Sequence, residues 1–232
     1  MTRLTLLRHG QSVWNRDRRF TGWADVELSP HGVAQAERAG RLLAASGTDF
    51  DLCYTSCLAR AAKTARIALA VMGRGDLPVE ESWRLNERHY GALQGLGLAE
   101  AAWRFGLLRV LRCQRNFQAR PPALAPDDPR FPGHDPRYAA VAPADLPRGE
   151  SVADALERVR PFWETVLAPA VRRGTRVLVV SHRNTLRGIL RLLAPEDTDA
   201  LTTRLATGVS IVLELDDGLR LVGHHRLEVE AA

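Results

Sequence analysis

Apolar positions along this chain fall into short runs that alternate with stretches of helical period. Leu4-Thr5-Leu6-Leu7 predicts a first strand over about Arg3 to Leu7. Ser29-Pro30 marks a helix start, with a capping serine before a proline in the first turn. Val33, Ala36, Ala39, Gly40, Leu42 and Leu43 give that helix its apolar stripe. A second strand is expected over Asp51 to Tyr54, an alanine-rich helix over Leu58 to Met72, and a short strand over Val79 to Glu81. Ala99 to Asn116 has a helical pattern. The next segment is rich in proline, from Pro121 to Pro147. Ser151 then caps a helix running to about Val171, Arg176 to Val180 reads as a strand, and Thr185 to Leu193 as a helix. Val209 to Leu215 and Leu219 to Arg226 read as two strands joined by the Asp217-Gly218 turn.

Alternating strands and helices predict a three-layer α/β/α architecture around a mostly parallel sheet. In such sheets ligands bind beyond the carboxyl ends of the strands. His9, Ser56 and His182 all sit at predicted ends of that kind. The interruption between about 98 and 145 reads as an insertion or lid on a single domain spanning 1–232, with Trp103, Phe105, Phe117, Phe131 and Tyr138 as apolar anchors.

Composition narrows the partner. The chain of 232 residues carries a formal net charge of +5, almost all of its cations being arginine with Lys63 the one lysine. The arginines are scattered and no nucleic-acid module is present, so small phosphorylated ligands are expected rather than nucleic acid. No apolar run approaches the roughly 20 residues that span a bilayer, so no membrane association is expected. Met1-Thr2-Arg3 leads straight into the first strand, leaving no room for a signal peptide. Cys53, Cys57 and Cys113 are odd in number and fit no zinc spacing, so a reducing cytoplasmic setting is expected. His224 and His225 are adjacent on a predicted strand, point to opposite faces and make a poor metal pair. No metal is expected.

Arg8-His9-Gly10 behind the first strand suits a phosphoryl-accepting nucleophile. Imidazole attacks phosphorus, a guanidinium grips two phosphoryl oxygens, and glycine lets the backbone approach closely. Arginine charge nearby disfavours imidazolium and keeps His9 nucleophilic.

With LRHGQSVWN (Leu7 to Asn15), FTGWAD (Phe20 to Asp25), LNERHYGALQG (Leu85 to Gly95), PGHDPRY (Pro132 to Tyr138) and SHRNTLR (Ser181 to Arg187), the chain resembles the histidine phosphatase superfamily. Within it the likeness is to the cofactor-dependent phosphoglycerate mutases. That resemblance implies a phosphohistidine at His9, phosphoryl-oxygen contacts from Arg8, Arg60 and His182, and proton transfer by Glu87. It implies substrate contacts from Ser12, Asn15, Thr21, Gly22, Arg88, His89, Tyr90, Arg115, Arg183 and Asn184. His89 reads equally well as a loop histidine with a structural hydrogen bond. The resemblance also implies interconversion of 3- and 2-phosphoglycerate, priming by 2,3-bisphosphoglycerate, and a dimer or tetramer.

Three positions depart from the mutase pattern. Leu98 stands where a lysine is expected, Gln114 where the first of two arginines is, and Arg183 where a glycine is. The chain also stops soon after Arg226, so the tail that shields the site in mutases is expected to be short. The long insertion from Leu98 to Asp145 favours the mutase, which is the leading expectation, whereas a closed site suppresses hydrolysis, so these departures favour an alternative, a histidine-dependent phosphomonoesterase. A third reading, a non-catalytic phosphate binder, sits poorly with retention of His9, Glu87, His182, Arg8 and Arg60.

Overall fold

The computed structural model describes residues 2–203 and 205–227. Six strands form one sheet: β1 (Thr2–Arg8), β2 (Leu52–Thr55), β3 (Val79–Glu81), β4 (Val177–Ser181), β5 (Ser210–Leu215) and β6 (Leu221–Arg226). Nine α-helices surround it among the described residues: α1 (Val13–Arg16), α2 (Pro30–Ala45), α3 (Ala59–Val71), α4 (Leu98–Phe105), α5 (Leu107–Arg115), α6 (Val152–Phe162), α7 (Ala168–Arg172), α8 (Arg183–Leu193) and α9 (Thr198–Thr203).

The strand order is β3-β2-β4-β1-β5-β6. The first four are mutually parallel, while β5 runs antiparallel to β1 and β6 antiparallel to β5. The sheet is therefore mixed. A hairpin through Asp217-Gly218 forces β5 and β6 antiparallel to each other, and β5 pairs with β1 in the same sense.

Strand alternation divides the core into two layers. Leu4, Leu6, Val177, Val179, Ile211 and Leu213 pack with Val159, Phe162, Val171, Leu186, Ile189 and Leu190 of α6, α7 and α8. Leu7, Cys53, Leu178 and Val180 face Ala39, Leu43, Ala65, Ala68 and Leu69 of α2 and α3. With helices on both faces this is a three-layer α/β/α fold.

Several details differ from the sequence reading, each for a local reason. The helix expected over 99–116 breaks at Gly106, whose φ of +84° lies in the region that glycine adopts without a Cβ clash. The helix after Ser151 contains Pro161, which has no backbone N–H to donate, and passes through a π-type turn at Trp163–Leu167 before α7. Short α1 and α9 had no periodic signal. Trp103, expected as an anchor, is 84% exposed. Tyr138 and Leu146 are instead buried against Trp23, with Phe131 packed beside them, and this ties the proline-rich segment down. That segment runs through short 3-10 turns at Pro132–His134, Pro136–Tyr138 and Pro143–Asp145. The short tail read from the sequence falls largely at residues 228–232, outside the described residues.

Candidate active site

Parallel pairing of β1 with β4 aligns Arg8 with Ser181, so the residues that follow each strand emerge side by side. His9 and His182 stand there with ring centroids 4.8 Å apart. The His9 backbone N–H donates to the Ser181 carbonyl, and the Gly10 N–H donates to Thr64 Oγ1 on α3. Gly10 is required by its neighbour: a Cβ there would lie 2.2 Å from the Gly32 carbonyl oxygen. The loop after β1 can therefore pass close over the start of α2.

The two histidines are held differently. His9 Nδ1 lies 2.6 Å from the Gly10 carbonyl oxygen. A carbonyl only accepts, so Nδ1 carries the proton and Nε2 of the neutral ring is free. Burial, then the charges of Arg60 and Arg8, holds the His9 pKa well below 6.5. His182 Nε2 shares a 2.7 Å hydrogen bond with Ser56 Oγ, which also accepts the Leu58 N–H. His182 Nδ1 is buried with no partner among the described residues. Burial, then Arg60, lowers its pKa well below 6.5 as well.

His9 lines a cavity of about 240 Å³. Arg8, Arg18, Arg19, Arg60 and Arg183 line it too, and among the described residues Glu87 brings its one carboxylate. Five guanidinium groups and one carboxylate make a site for an anion. Arg60 is 1% exposed and donates to the carbonyls of Ala24 and Gly22. Burial lowers its pKa to about 10, so it is still cationic at neutral pH. Arg8 donates to the Leu205 carbonyl while its buried Nε has no partner among the described residues.

Glu87 is no surface glutamate paired with the Arg88 guanidinium. It is 8% exposed, and its Oε1 accepts the Arg88 backbone N–H at 2.8 Å. Three elements clasp the segment that carries it. Ser181 Oγ donates to the Leu85 carbonyl, Thr185 Oγ1 donates to the Asn86 carbonyl, and Arg158 donates to the Glu87 carbonyl.

Asn15, Thr21, Gly22, Tyr90 and Asn184 also line the cavity. Four expected substrate contacts do not, and neither does His182, which was expected to contact phosphoryl oxygens. Ser12 is fully buried and spends its hydroxyl capping α1 through the Asn15 N–H. His89 is fully buried behind the wall, with Nδ1 accepting the Gly91 N–H, and burial lowers its pKa to about 3. Arg115 is exposed on α5, and its neighbour Gln114 lines the cavity instead. One residue turns the helix by about 100°, enough to aim the wrong side chain away. Arg88 is 1% exposed and lines an adjoining cavity rather than this one. The sequence reading missed Arg18, Arg19 and Phe20. Phe20 opens the FTGWAD motif but is not among the contacts the resemblance implies; the two arginines have as their only sequence signal the run Arg16-Asp17-Arg18-Arg19, and Arg18 takes a left-handed φ of 55° that no pattern announces.

His9, His89 and His182 all resist protonation, which sets a pH dependence of stability. In the unfolded chain each titrates near 6.5, whereas in the fold each stays neutral well below that. Below about pH 6.5 the unfolded chain therefore binds more protons, and stability falls as pH falls. Each group contributes about 1.4 kcal/mol per pH unit once fully engaged, so the slope approaches about 4 kcal/mol per unit. Urea denaturation midpoints measured from pH 7 to pH 5 should drop steeply, and a flat series would contradict burial of neutral histidines.

Among the described residues no group of His, Cys, Asp or Glu is placed to hold a metal ion, and no helix is long and apolar enough to cross a membrane. Residues 4–225 match the family model for the histidine phosphatase superfamily (branch 1). Solved structures with a similar fold carry names of phosphatases and hydrolases. The mycobacterial glucosyl-3-phosphoglycerate phosphatase is 26% identical, with a TM-score of 0.68 over 92% of this chain and 93% of its own. Mycobacterial hydrolase 1 is 25% identical, with a TM-score of 0.69 over 95% of each chain. The α-ribazole phosphatase of Shigella flexneri, at 22% identity and a TM-score of 0.70 over 94% of this chain and 93% of its own, shares the fold. A match over nearly the whole length, joined to a strand-end histidine in an arginine-lined cavity with a second strand-end histidine packed beside it, places this chain in branch 1 of the histidine phosphatase superfamily, whose chemistry is phosphoryl transfer.

Proposed function

We propose that the chain is a phosphomonoesterase that works through a phosphohistidine at His9. The observation that carries this reading is the cavity wall. Leu98 and Gln114, the two places where a mutase resemblance calls for cations, both line the cavity and neither is charged. A phosphoglycerate would lose those two contacts, and with them the hold needed for it to be rephosphorylated before water intervenes. The names of the similar structures point the same way. In this reading the segment from about 98 to 145 walls the site without sealing it.

The chemistry follows from the placement. His9 Nε2 attacks phosphorus, the ester P–O bond breaks, and the leaving oxygen takes a proton from the Glu87 carboxyl. Water then gives a proton to the Glu87 carboxylate and attacks the phosphohistidine. The P–N bond breaks and orthophosphate leaves. Arg8, Arg60 and Arg183 face the charge spread over the phosphoryl oxygens.

The test follows 3-phosphoglycerate with and without 2,3-bisphosphoglycerate, reading orthophosphate and 2-phosphoglycerate on the same sample. Phosphate release that needs no bisphosphate, with little 2-phosphoglycerate, is the expected result. Isomerisation that depends on the bisphosphate, without phosphate release, would return the chain to the mutases.

A further inference from the structure

The hairpin of α4 and α5 has a covered face and a bare one. Ala101, Val110 and Cys113 are buried with Leu93 and Leu96, and Phe105 packs beside them, so the hairpin is fixed to the body of the protein. The turn at Gly106 leaves Trp103, Leu107 and Leu108 on the outside. Trp103 and Leu108 are each 84% exposed, and Leu107 is 53% exposed. Large apolar groups seldom stand together in water without a partner. Away from this hairpin, the exposed large apolar side chains among the described residues stand singly, Val71 on α3 and Val222 on β6.

The charge on these helices is positive. Arg104, Arg109 and Arg112 are all exposed. Glu100, the one acidic residue of the hairpin, pairs with Arg104. Arg109 and Arg112 form no ion pair among the described residues. A second copy docked here would set these arginines against their own counterparts, and like charges so placed oppose association. An anionic lipid surface meets both demands, because its headgroups answer the guanidinium groups and its acyl boundary takes the indole and the leucines. We infer that the α4–α5 hairpin docks the protein on the surface of an anionic bilayer, with Trp103, Leu107 and Leu108 inserted at the headgroup boundary. The lack of a spanning run does not bear on this, since lying on a membrane takes only an apolar face rimmed by cations. Leu98 and Gln114 of the same hairpin line the catalytic cavity, so docking sets that cavity beside the lipid. It does so whichever phosphoryl acceptor the site uses.

The test is co-sedimentation with vesicles at low ionic strength, phosphatidylcholine alone against an equal mixture of phosphatidylcholine and phosphatidylglycerol. Binding to the mixed vesicles should be tighter by about tenfold or more, since each arginine near an anionic surface contributes about a factor of five. Trp103→Ser should weaken that binding by about tenfold, the scale of withdrawing one large apolar side chain from the interface. It should also remove most of the blue shift of tryptophan emission that the vesicles produce in the unaltered chain. Because the Trp103 side chain is 84% exposed, the urea midpoint of this variant should not move. Arg109→Gln combined with Arg112→Gln should erase most of the preference for the mixed vesicles. Equal binding to both kinds of vesicle by the unaltered chain, or binding by Trp103→Ser as tight as that of the unaltered chain, would overturn the inference. So would a dimer in sedimentation velocity that Trp103→Ser dissociates, which would make this face a contact between copies.

Discussion

Replacing His9 with alanine should cut phosphate release by about 10⁴-fold or more, the scale on which covalent catalysis fails when its nucleophile is removed. The geometry says why His9 and not His182. His9 lines the cavity, and its Nδ1 proton is committed to the Gly10 carbonyl, which leaves Nε2 unprotonated. His182 does not line the cavity, and its Nε2 is engaged with Ser56. Burial and two arginines keep His9 neutral, so its nucleophilic form persists on the acid side of pH 6.5. A radiolabelled phosphoryl group should be trapped on the unaltered chain by alkaline quenching and be absent from His9→Ala. Label that survives in His9→Ala would move the nucleophile to His182.

The second large effect lies behind the site. Arg158 and Glu150 form an ion pair with 2.7 Å between Nε and Oε1, both side chains 5% exposed. Arg158 also donates to the carbonyls of Arg84 and Glu87, and Glu150 accepts the His89 N–H. The pair thus fixes the backbone on both sides of Glu87. Arg158→Ala would strand a buried carboxylate and leave those carbonyls without their donor. Breaking a buried pair from one side costs about 3–5 kcal/mol. Urea denaturation should show that loss, and phosphate release should fall with it as Glu87 loses its support. A loss under about 1 kcal/mol would mean that the pair is dispensable. Arg176→Ala removes exposed contacts to Asp49 and Asp51 and should barely move the midpoint.

The sequence carried the framework of the site well. An apolar run ending in Arg8-His9 and another ending in Ser181-His182 placed both histidines at strand ends, and the parallel register brings them together. Glu87 and Arg60 were readable from motif context. What escaped depends on three-dimensional phase rather than on residue type. Gln114 and not Arg115 faces the cavity because of the rotation of α5, which is set by the break at Gly106. Arg18 enters because its backbone turns left-handed. His89, which a motif comparison counts among contacts, is drawn inward by Glu150 and Gly91. The antiparallel half of the sheet was legible only within the β5–β6 hairpin, because the pairing of β5 with β1 is a long-range choice.

The pairing of Leu7 with Val180 has a consequence in time. The two strands whose ends carry the histidines are separated by most of the chain's length, and their ladder forms only after a very long loop has closed. Loop closure of that kind slows folding. A chain still being synthesised holds His9 from the outset but has no partner strand for β1 until β4 and β5 have emerged. Enzymatic competence therefore arrives last, and the appearance of phosphate release during refolding should report completion of the topology rather than formation of any single element.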